Sequence, residues 1–274
     1  MIDQLPFLFW PFLGLLCIAG IHVYLGLHVV EREVIFVDLS LAQMAVLGAS
    51  VASLWGAEPE QPATYAMALA FTVIGAATFA FTRSERGRVP QEAIIGIVYA
   101  VAAAASVLIL NNAPHGAEHI RDLLVGQLLA VERHDVVRLF VLYVVIGALH
   151  VGWRKRLLLI SHDPDAARAR GVNVKLWDFL FYVTFGVTVT ASVELGGVLV
   201  VFSYLIVPSV TAVLFAEHVG TRLAIGWVVA AVGSALGMLG SVWLSAPPGA
   251  SVVCAFGALL ILAALARPLV APRA

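Results

Sequence analysis

Long apolar runs alternate with short polar connections along almost the whole chain. About 20 apolar residues in a helix cross a bilayer core of about 30 Å. Nine runs approach or exceed that length: 7–30, 34–55, 63–81, 92–110, 136–153, 178–194, 198–215, 221–244 and 250–267. The pattern predicts an all-α fold, a polytopic bundle of about nine transmembrane helices forming one transmembrane domain over residues 1–274.

Only Glu194 to Gly197 separate the sixth run from the seventh. So short a division fits either a tight turn between two spans or a break inside re-entrant structure. Non-helical backbone at membrane depth has to be sheltered by protein. The pattern therefore predicts an interruption here and leaves its form open.

The composition agrees with a membrane protein. Hydrophobic residues make up 61% of the chain, charged residues 12%, and the mean hydropathy is +0.98. A soluble globule of this composition would lack the polar surface to cover itself. A net charge of -1 without long runs of like charge gives no indication of nucleic-acid binding. Cys17 and Cys254 both lie in apolar runs, so neither a disulfide framework nor a thiolate metal site is indicated.

Basic residues predict the orientation. When the connections are assigned alternately to two sides, all 16 lysines and arginines except Arg121, Arg133 and Arg138 fall on one side. The positive-inside rule makes that side cytoplasmic and puts the amino terminus outside. Residues 1–6 lack the basic start of a signal peptide, so we expect the first run to be a retained span.

One polar segment, residues 154–178, interrupts the apolar pattern on the predicted cytoplasmic side. It contains the signals of a short, deliberately bounded helix. Asp163 is in position to cap the N-terminus, Pro164 suits the first helical position, Asp165 suits the positive end, and Gly171 suits the C-terminal stop. Such capping in a largely apolar chain indicates an element that docks onto another protein.

The sequence lacks the loop that binds nucleotides in many ATPases. No Gly-x-x-x-x-Gly-Lys-Ser/Thr loop exists, because neither Lys155 nor Lys175, the only lysines, follows a glycine. We therefore expect a non-enzymatic subunit whose nucleotide-driven work is done by a partner.

The stretch His115-Gly-Ala-Glu118-His119 matches the His-x-x-Glu-His pattern of inverted zinc peptidases, which requires a helix. A glycine interrupts it here, and Asn-Asn-Ala-Pro precedes it. A solvated loop and an external metal-collecting patch formed with Asp122, His134 and Asp135 are the other interpretations, since imidazole and carboxylate bind divalent ions.

Ionisable and amide side chains inside the runs are candidates for a transport path, because such groups usually face a cavity or a partner. Asp38 is expected about four residues into the second span. His22 and Gln43 are expected at similar depths on the hairpin of the first two spans, and Glu194 at the outer end of the sixth. The structural alternatives are an interhelical hydrogen bond for His22 and Gln43, a local salt bridge or helix end for Asp38, and an interfacial carboxylate for Glu194.

Four stretches together resemble the membrane permeases of ATP-binding-cassette importers for zinc and manganese. They are Ile94–Val98, Leu124–Val131, Ser161–Asp163 with Ala167 and Gly171, and Leu199–Pro208. The resemblance implies a homodimer of permeases in the lipid of a bacterial inner membrane. It also implies a dimer of ATPase subunits that use ATP and an extracytoplasmic metal-binding receptor that supplies the metal. It also implies that the polar segment is the coupling helix, with Asp163, Pro164, Asp165, Ala167 and Gly171 as the residues of ATPase coupling.

The resemblance further implies a metal site in the second span, where the family commonly has an aspartate followed four residues later by a histidine. Counted from Asp38, the histidine position holds Ala42. Aligned instead on Gly48, it holds Gln43, and Leu39 replaces the aspartate. Asp38 and Gln43 are about 140° apart on an ideal helix, so one ion can meet both only with help from another span or a distorted helix.

The expected function is therefore uptake of a divalent transition-metal ion, zinc before manganese or iron, by alternating access. No permanently bound cofactor is expected. Two alternatives stay open: a permease for a metal chelate of the siderophore or cobalamin type, and an ATP-independent secondary transporter.

Overall fold

The computed structural model describes residues 5–58, 61–83, 89–111 and 126–270. These residues contain helices and no β-strand, which confirms the predicted all-α fold. The helices are α1 (Leu5–Glu31), α2 (Val37–Ser53), α3 (Pro62–Thr82), α4 (Gln91–Leu110), α5 (Arg133–His162), α6 (Pro164–Ala169), α7 (Val174–Phe215), α8 (Val219–Leu244) and α9 (Pro248–Val270), with a short 3-10 helix at Leu128–Ala130.

Seven helices within the described ranges are long and apolar enough to cross a membrane, judged by length and composition: α1, α3, α4, α5, α7, α8 and α9. The helix α2 is also apolar but has only 17 residues. The nine apolar runs correspond to eight helices, because the sixth and seventh runs both lie in α7.

The predicted interruption between these two runs is a break at Gly197. Forty-two residues of continuous helix would measure about 63 Å, about twice the bilayer core. Gly197 has φ 75° and ψ 161°, a backbone region that is essentially restricted to glycine. Gly126 packs against this break, since a Cβ atom at position 126 would overlap the backbone of Gly196.

The described chain forms two compact units. The first contains residues 5–30, 126–144 and 192–270. Close helix contacts in this unit depend on small residues: a Cβ atom at Gly26 would overlap the carbonyl oxygen of Leu205, and one at Gly237 would overlap Val252. The rings of Tyr204 and Phe256 meet edge to face at 4.8 Å between centroids.

The second unit contains residues 31–58, 61–83, 89–111 and 145–191. Its helix α2 packs closely on α3, where a Cβ atom at Gly48 would overlap the carbonyl oxygen of Met67. The Ser40 hydroxyl of α2 donates to the carbonyl oxygen of Ile95 in α4 at 3.1 Å. The polar segment, with α6 at its centre, belongs wholly to this unit.

Candidate coupling and translocation sites

The helix predicted inside the polar segment is present as α6, and its N-terminus has the predicted cap. Asp163 precedes the helix with φ −146° and ψ 87°, and its Oδ1 accepts the backbone N–H of Ala166 at 2.8 Å. Pro164 takes the first helical position, where its missing N–H removes no helical bond. Asp165 lies in the first turn and forms an ion pair with Arg168.

The predicted stop at Gly171 is also present. Gly171 has φ 74°, and the N–H of Val172 reaches back to the carbonyl oxygen of Ala167 at 3.0 Å. The N–H of Gly171 donates to the Arg168 carbonyl at 2.8 Å. These bonds satisfy carbonyls that would otherwise lack partners at the end of the helix.

A small apolar base fixes α6 to its flanking helices. Ala167 is completely buried against Ile160 of α5 and Val174 of α7, with Leu159, Val172 and Trp177 around them. Asp163, Asp165 and Arg170 are exposed. The arrangement therefore anchors one side of α6 and leaves a polar side open.

Asp38 and Gln43 lie on α2 in the second unit. The structure begins α2 at Val37, three residues after the start of the apolar run, so Asp38 lies in the first helical turn. The difference arises because residues 32–36, apolar in part, form turns before the helix starts. Asp38 is only 1% exposed, and its Oδ1 has no hydrogen-bond partner among the described residues. Gln43 is half-buried.

His22 lies in α1 of the first unit and is completely buried. Its Nδ1 is 2.9 Å from the carbonyl oxygen of Ile18, which can only accept, so Nδ1 carries the proton. Nε2 then holds a lone pair, and it has no partner among the described residues. A backbone carbonyl that fixes Nδ1–H while Nε2 stays open is the usual arrangement of a metal-binding imidazole. The Tyr143 ring lies at 6.2 Å, and its hydroxyl is 2.6 Å from Ser192 Oγ.

Glu194 lies in α7, three residues before the break at Gly197. Its side chain is 60% exposed, and its carboxylate is 3.7 Å from the guanidinium of Arg138. Exposed ion pairs of this kind stabilise a fold by about 1 kcal/mol or less. The fold therefore does not depend on a carboxylate at position 194.

The predicted external patch is described only in part. Its members His115, Glu118, His119 and Asp122 lie outside the described residues. His134 is exposed, with its Nε2 3.1 Å from Asp135 and its Nδ1 3.5 Å from Glu132. Within the described part of the chain, no group of three His, Cys, Asp or Glu side chains is placed to hold a metal ion.

A buried charge network, formed by Arg32, Arg83, Asp178 and Ser161, was not predicted from the sequence. Asp178 is fully buried; its Oδ1 accepts Arg32 Nη1 at 2.7 Å and its Oδ2 accepts Arg83 Nη1 at 2.6 Å. Arg32 also donates through Nε to Ser161 Oγ at 2.8 Å. The sequence signal was present but weak: three charges at the ends of apolar runs on the same predicted side.

Comparison with known proteins decides the family. A model described as the ABC 3 transport family matches residues 4–267. The chain belongs to the ABC 3 transport family. It is therefore a permease subunit of an ATP-binding-cassette transporter, a multi-pass protein of the bacterial inner membrane, and the ATPase is a separate subunit. The resemblance drawn from the four sequence stretches is confirmed.

Metal transport proteins of other bacteria match this permease over most of its length. The manganese transport system membrane protein MntC of Listeria monocytogenes is 24% identical over 212 residues, 75% of each protein. The high-affinity zinc uptake system membrane protein ZnuB of Haemophilus influenzae is 24% identical over 247 residues, 89% of this permease and 91% of ZnuB. The solved structure of PsaBC from Streptococcus pneumoniae in complex with Fab has a TM-score of 0.79 at 20% identity, covering 96% and 93% of the two chains. This last likeness shows a shared fold.

Proposed function

We propose that the permease moves a divalent transition-metal ion into the cytoplasm by alternating access, and that ATP hydrolysis in a partner subunit drives the movement. The observation that carries the proposal is α6, a capped helix fixed on a buried apolar base with a polar side exposed. In a permease subunit without a nucleotide-binding loop, such an element is suited to receive force from an ATPase. The names of the manganese and zinc relatives support a metal ion as the substrate.

The residues of the polar segment have distinct parts in the proposed docking. Asp163, Pro164 and Gly171 define where α6 begins and ends, and Ala167 fixes it to α5 and α7. Asp165 offers an exposed charge to the ATPase. Docking of the ATPase would thereby displace α6 together with the helices on either side of it.

Four side chains are proposed to meet the ion during its passage: His22, Asp38, Gln43 and Glu194. The open Nε2 of His22 and the unpartnered Oδ1 of Asp38 are buried atoms with lone pairs that could bind a cation. Gln43 adds an amide oxygen, and Glu194 adds an exposed carboxylate that would attract cations. Donors of this kind suit brief contacts, because conduction requires binding weak enough for release.

Selectivity is then proposed to reside outside the permease. An extracytoplasmic receptor would deliver the metal, and two copies of the permease, each using residues 1–274 as one transmembrane domain, would form the path with their amino termini outside. We place zinc before manganese or iron, since an imidazole is a good zinc ligand. Gln43 in the place of a histidine weakens that preference.

A reconstitution experiment tests the proposal against its rivals. The permease, co-expressed with its ATPase, is placed in proteoliposomes with receptor supplied outside, and uptake of zinc, manganese, ferrous iron and a ferric siderophore is measured with and without ATP. ATP-dependent uptake of free metal ions supports the proposal. Uptake of the chelate alone favours a chelate permease, and ATP-independent uptake by the isolated chain favours a secondary transporter.

A further inference from the structure

We propose that Asp178 is a positioning residue for energy coupling: clamped between Arg32 and Arg83, it transmits movement of the polar segment to the α1–α2 connection and to the end of α3. This inference rests on the proposed function. It adds a residue outside α6 and outside the ion path to the coupling machinery.

The polar segment is tightly packed around α6. Ile160, Ala167 and Val174, from α5, α6 and α7, are all buried together. The Trp153 and Trp177 rings meet edge to face at 5.7 Å, and the Arg156 guanidinium lies 4.8 Å above the Trp177 ring. Close packing of this kind resists internal deformation. A push on α6 therefore moves the end of α5 and the start of α7 with it.

Two residues that flank α6 anchor the polar segment to Arg32. Ser161 precedes α6 and Asp178 follows it, and Arg32 is hydrogen-bonded to both. The Arg32 guanidinium also lies 4.0 Å from the centre of the Phe181 ring, one turn beyond Asp178. The α6 helix is thus held on both flanks by one side chain from the α1–α2 connection.

The second arm of the clamp reaches the end of α3. The other oxygen of Asp178 binds Arg83, the residue that immediately follows α3. One carboxylate therefore fixes two different segments to the start of α7, through separate oxygens at 2.7 and 2.6 Å. The Arg32 and Asp178 side chains are 1% and 0% exposed, so water screens their attraction little.

The net stability from buried ion pairs does not account for the clamp. A buried ion pair contributes little net stability, because the cost of removing both charges from water offsets their attraction, and an apolar replacement is often equally stable. A geometric function accounts better for two arginines converging on one buried carboxylate. The ion pairs fix the distance and the direction between Asp178 and each arginine, whereas an apolar contact has no preferred direction.

Arg83→Gln is the sharpest test. This variant removes one arm but leaves Asp178 paired with Arg32, so no unpaired buried charge is created. The full complex with its ATPase is reconstituted in proteoliposomes, and the metal ions transported per ATP hydrolysed are measured. We expect this ratio to fall about fivefold or more, in the range of typical coupling energies, while the ATPase still binds and hydrolyses ATP. Arg83→Lys, which keeps the charge, is expected to recover most of the ratio.

Arg222→Gln provides the matched control. Arg222 is also half-buried, and it donates to the carbonyl oxygen of Ala216 in the first unit, whereas the clamp belongs to the second. Its ratio is expected to equal that of the wild type. Asp178→Asn removes the negative charge that both arginines meet and replaces one accepting oxygen by an amide nitrogen, and it should lower the ratio further.

The ratio separates coupling from folding, since loss of folded protein lowers transport and hydrolysis together. An unchanged ratio in Arg83→Gln, whether or not its thermal stability falls, would overturn the inference. A wild-type complex that binds no ATPase or moves no metal would instead remove the proposed function on which the inference rests.

Discussion

Asp38 and His22 each combine near-complete burial with one polar atom that has no partner among the described residues. Burial of such an atom costs about 1–3 kcal/mol, and more when the group is charged. A passing cation would supply the missing interaction at Asp38, and an electron-pair acceptor would supply it at Nε2 of His22. The proposed path therefore makes separate predictions for the two residues.

At Asp38, substitution by alanine removes the buried carboxylate. Asp38→Ala is expected to lower ATP-driven metal uptake by about a hundredfold, the scale of a few kcal/mol for a charge within a membrane protein. Assembly and basal ATP hydrolysis should persist. The matched control is Ser40→Ala on the same helix, which removes a buried hydroxyl bonded to Ile95 and should leave uptake near the wild-type rate. Normal uptake by Asp38→Ala in proteoliposomes would remove Asp38 from the path.

At His22, phenylalanine keeps a ring and removes both nitrogens. His22→Phe is expected to reduce uptake of zinc more than uptake of manganese, because zinc depends more on nitrogen ligands. His150→Phe is the control: His150 is buried as well, but its Nε2 already meets the Thr184 hydroxyl at 2.8 Å. It should cost about 1 kcal/mol of stability without changing the ratio of zinc to manganese uptake. Equal loss for both metals in His22→Phe would contradict ligation by His22.

Among the elements, α6 is short and depends on its ends. Six residues form too few helical bonds to be stable alone, so the cap at Asp163 and the base at Ala167 decide whether it is ordered. This dependence makes the cap a precise point of intervention, because serine at position 163 removes the exposed charge but keeps a capping oxygen, whereas alanine removes both.

Removal of that cap is predicted to weaken docking. Asp163→Ala should destabilise the start of α6 by about 1 kcal/mol and reduce ATPase association about fivefold, measured by co-purification or by titration in detergent. Asp163→Ser retains a capping oxygen and should preserve most of the affinity. If serine and alanine weaken association equally, the Asp163 charge and not the cap is responsible.

The break in α7 gives a prediction about stability. Gly197→Ala places a Cβ atom on a backbone with φ 75° and ψ 161°, at a cost of about 1–3 kcal/mol, and should lower the melting temperature of the purified permease. Gly257→Ala is the control, since Gly257 lies within helical α9 with open space at its Cβ. It should be neutral or slightly stabilising. Equal melting temperatures for the two variants would show that Gly197 does not require its observed backbone conformation.

The sequence predicted α6 better than it predicted the charge network, for a physical reason. Asp163, Pro164 and Gly171 act on backbone groups within four residues, so local rules identify them. Asp178 meets partners 146 and 95 residues away, and only tertiary structure determines such a pairing. The start of α2 was placed too early because apolar residues before Val37 extend the hydrophobic pattern into turns.

At the scale of the whole molecule, the permease is a helical membrane subunit whose fold and family are shared with metal transport proteins, while its own polar groups are sparse. The described residues contain no cluster of three metal-ligating side chains. In the proposed function, single weak ligands would pass the ion along the path without a high-affinity site. Discrimination between metals would then belong to the receptor.

The most direct test of this account is ATP-dependent uptake of ⁶⁵Zn²⁺ into proteoliposomes that contain the permease, its ATPase and the external receptor. The account predicts uptake that requires ATP and receptor together, and that falls when α6 loses its cap in Asp163→Ala. Zinc and manganese uptake that is absent in the presence of ATP, or that proceeds equally without the ATPase, would contradict it.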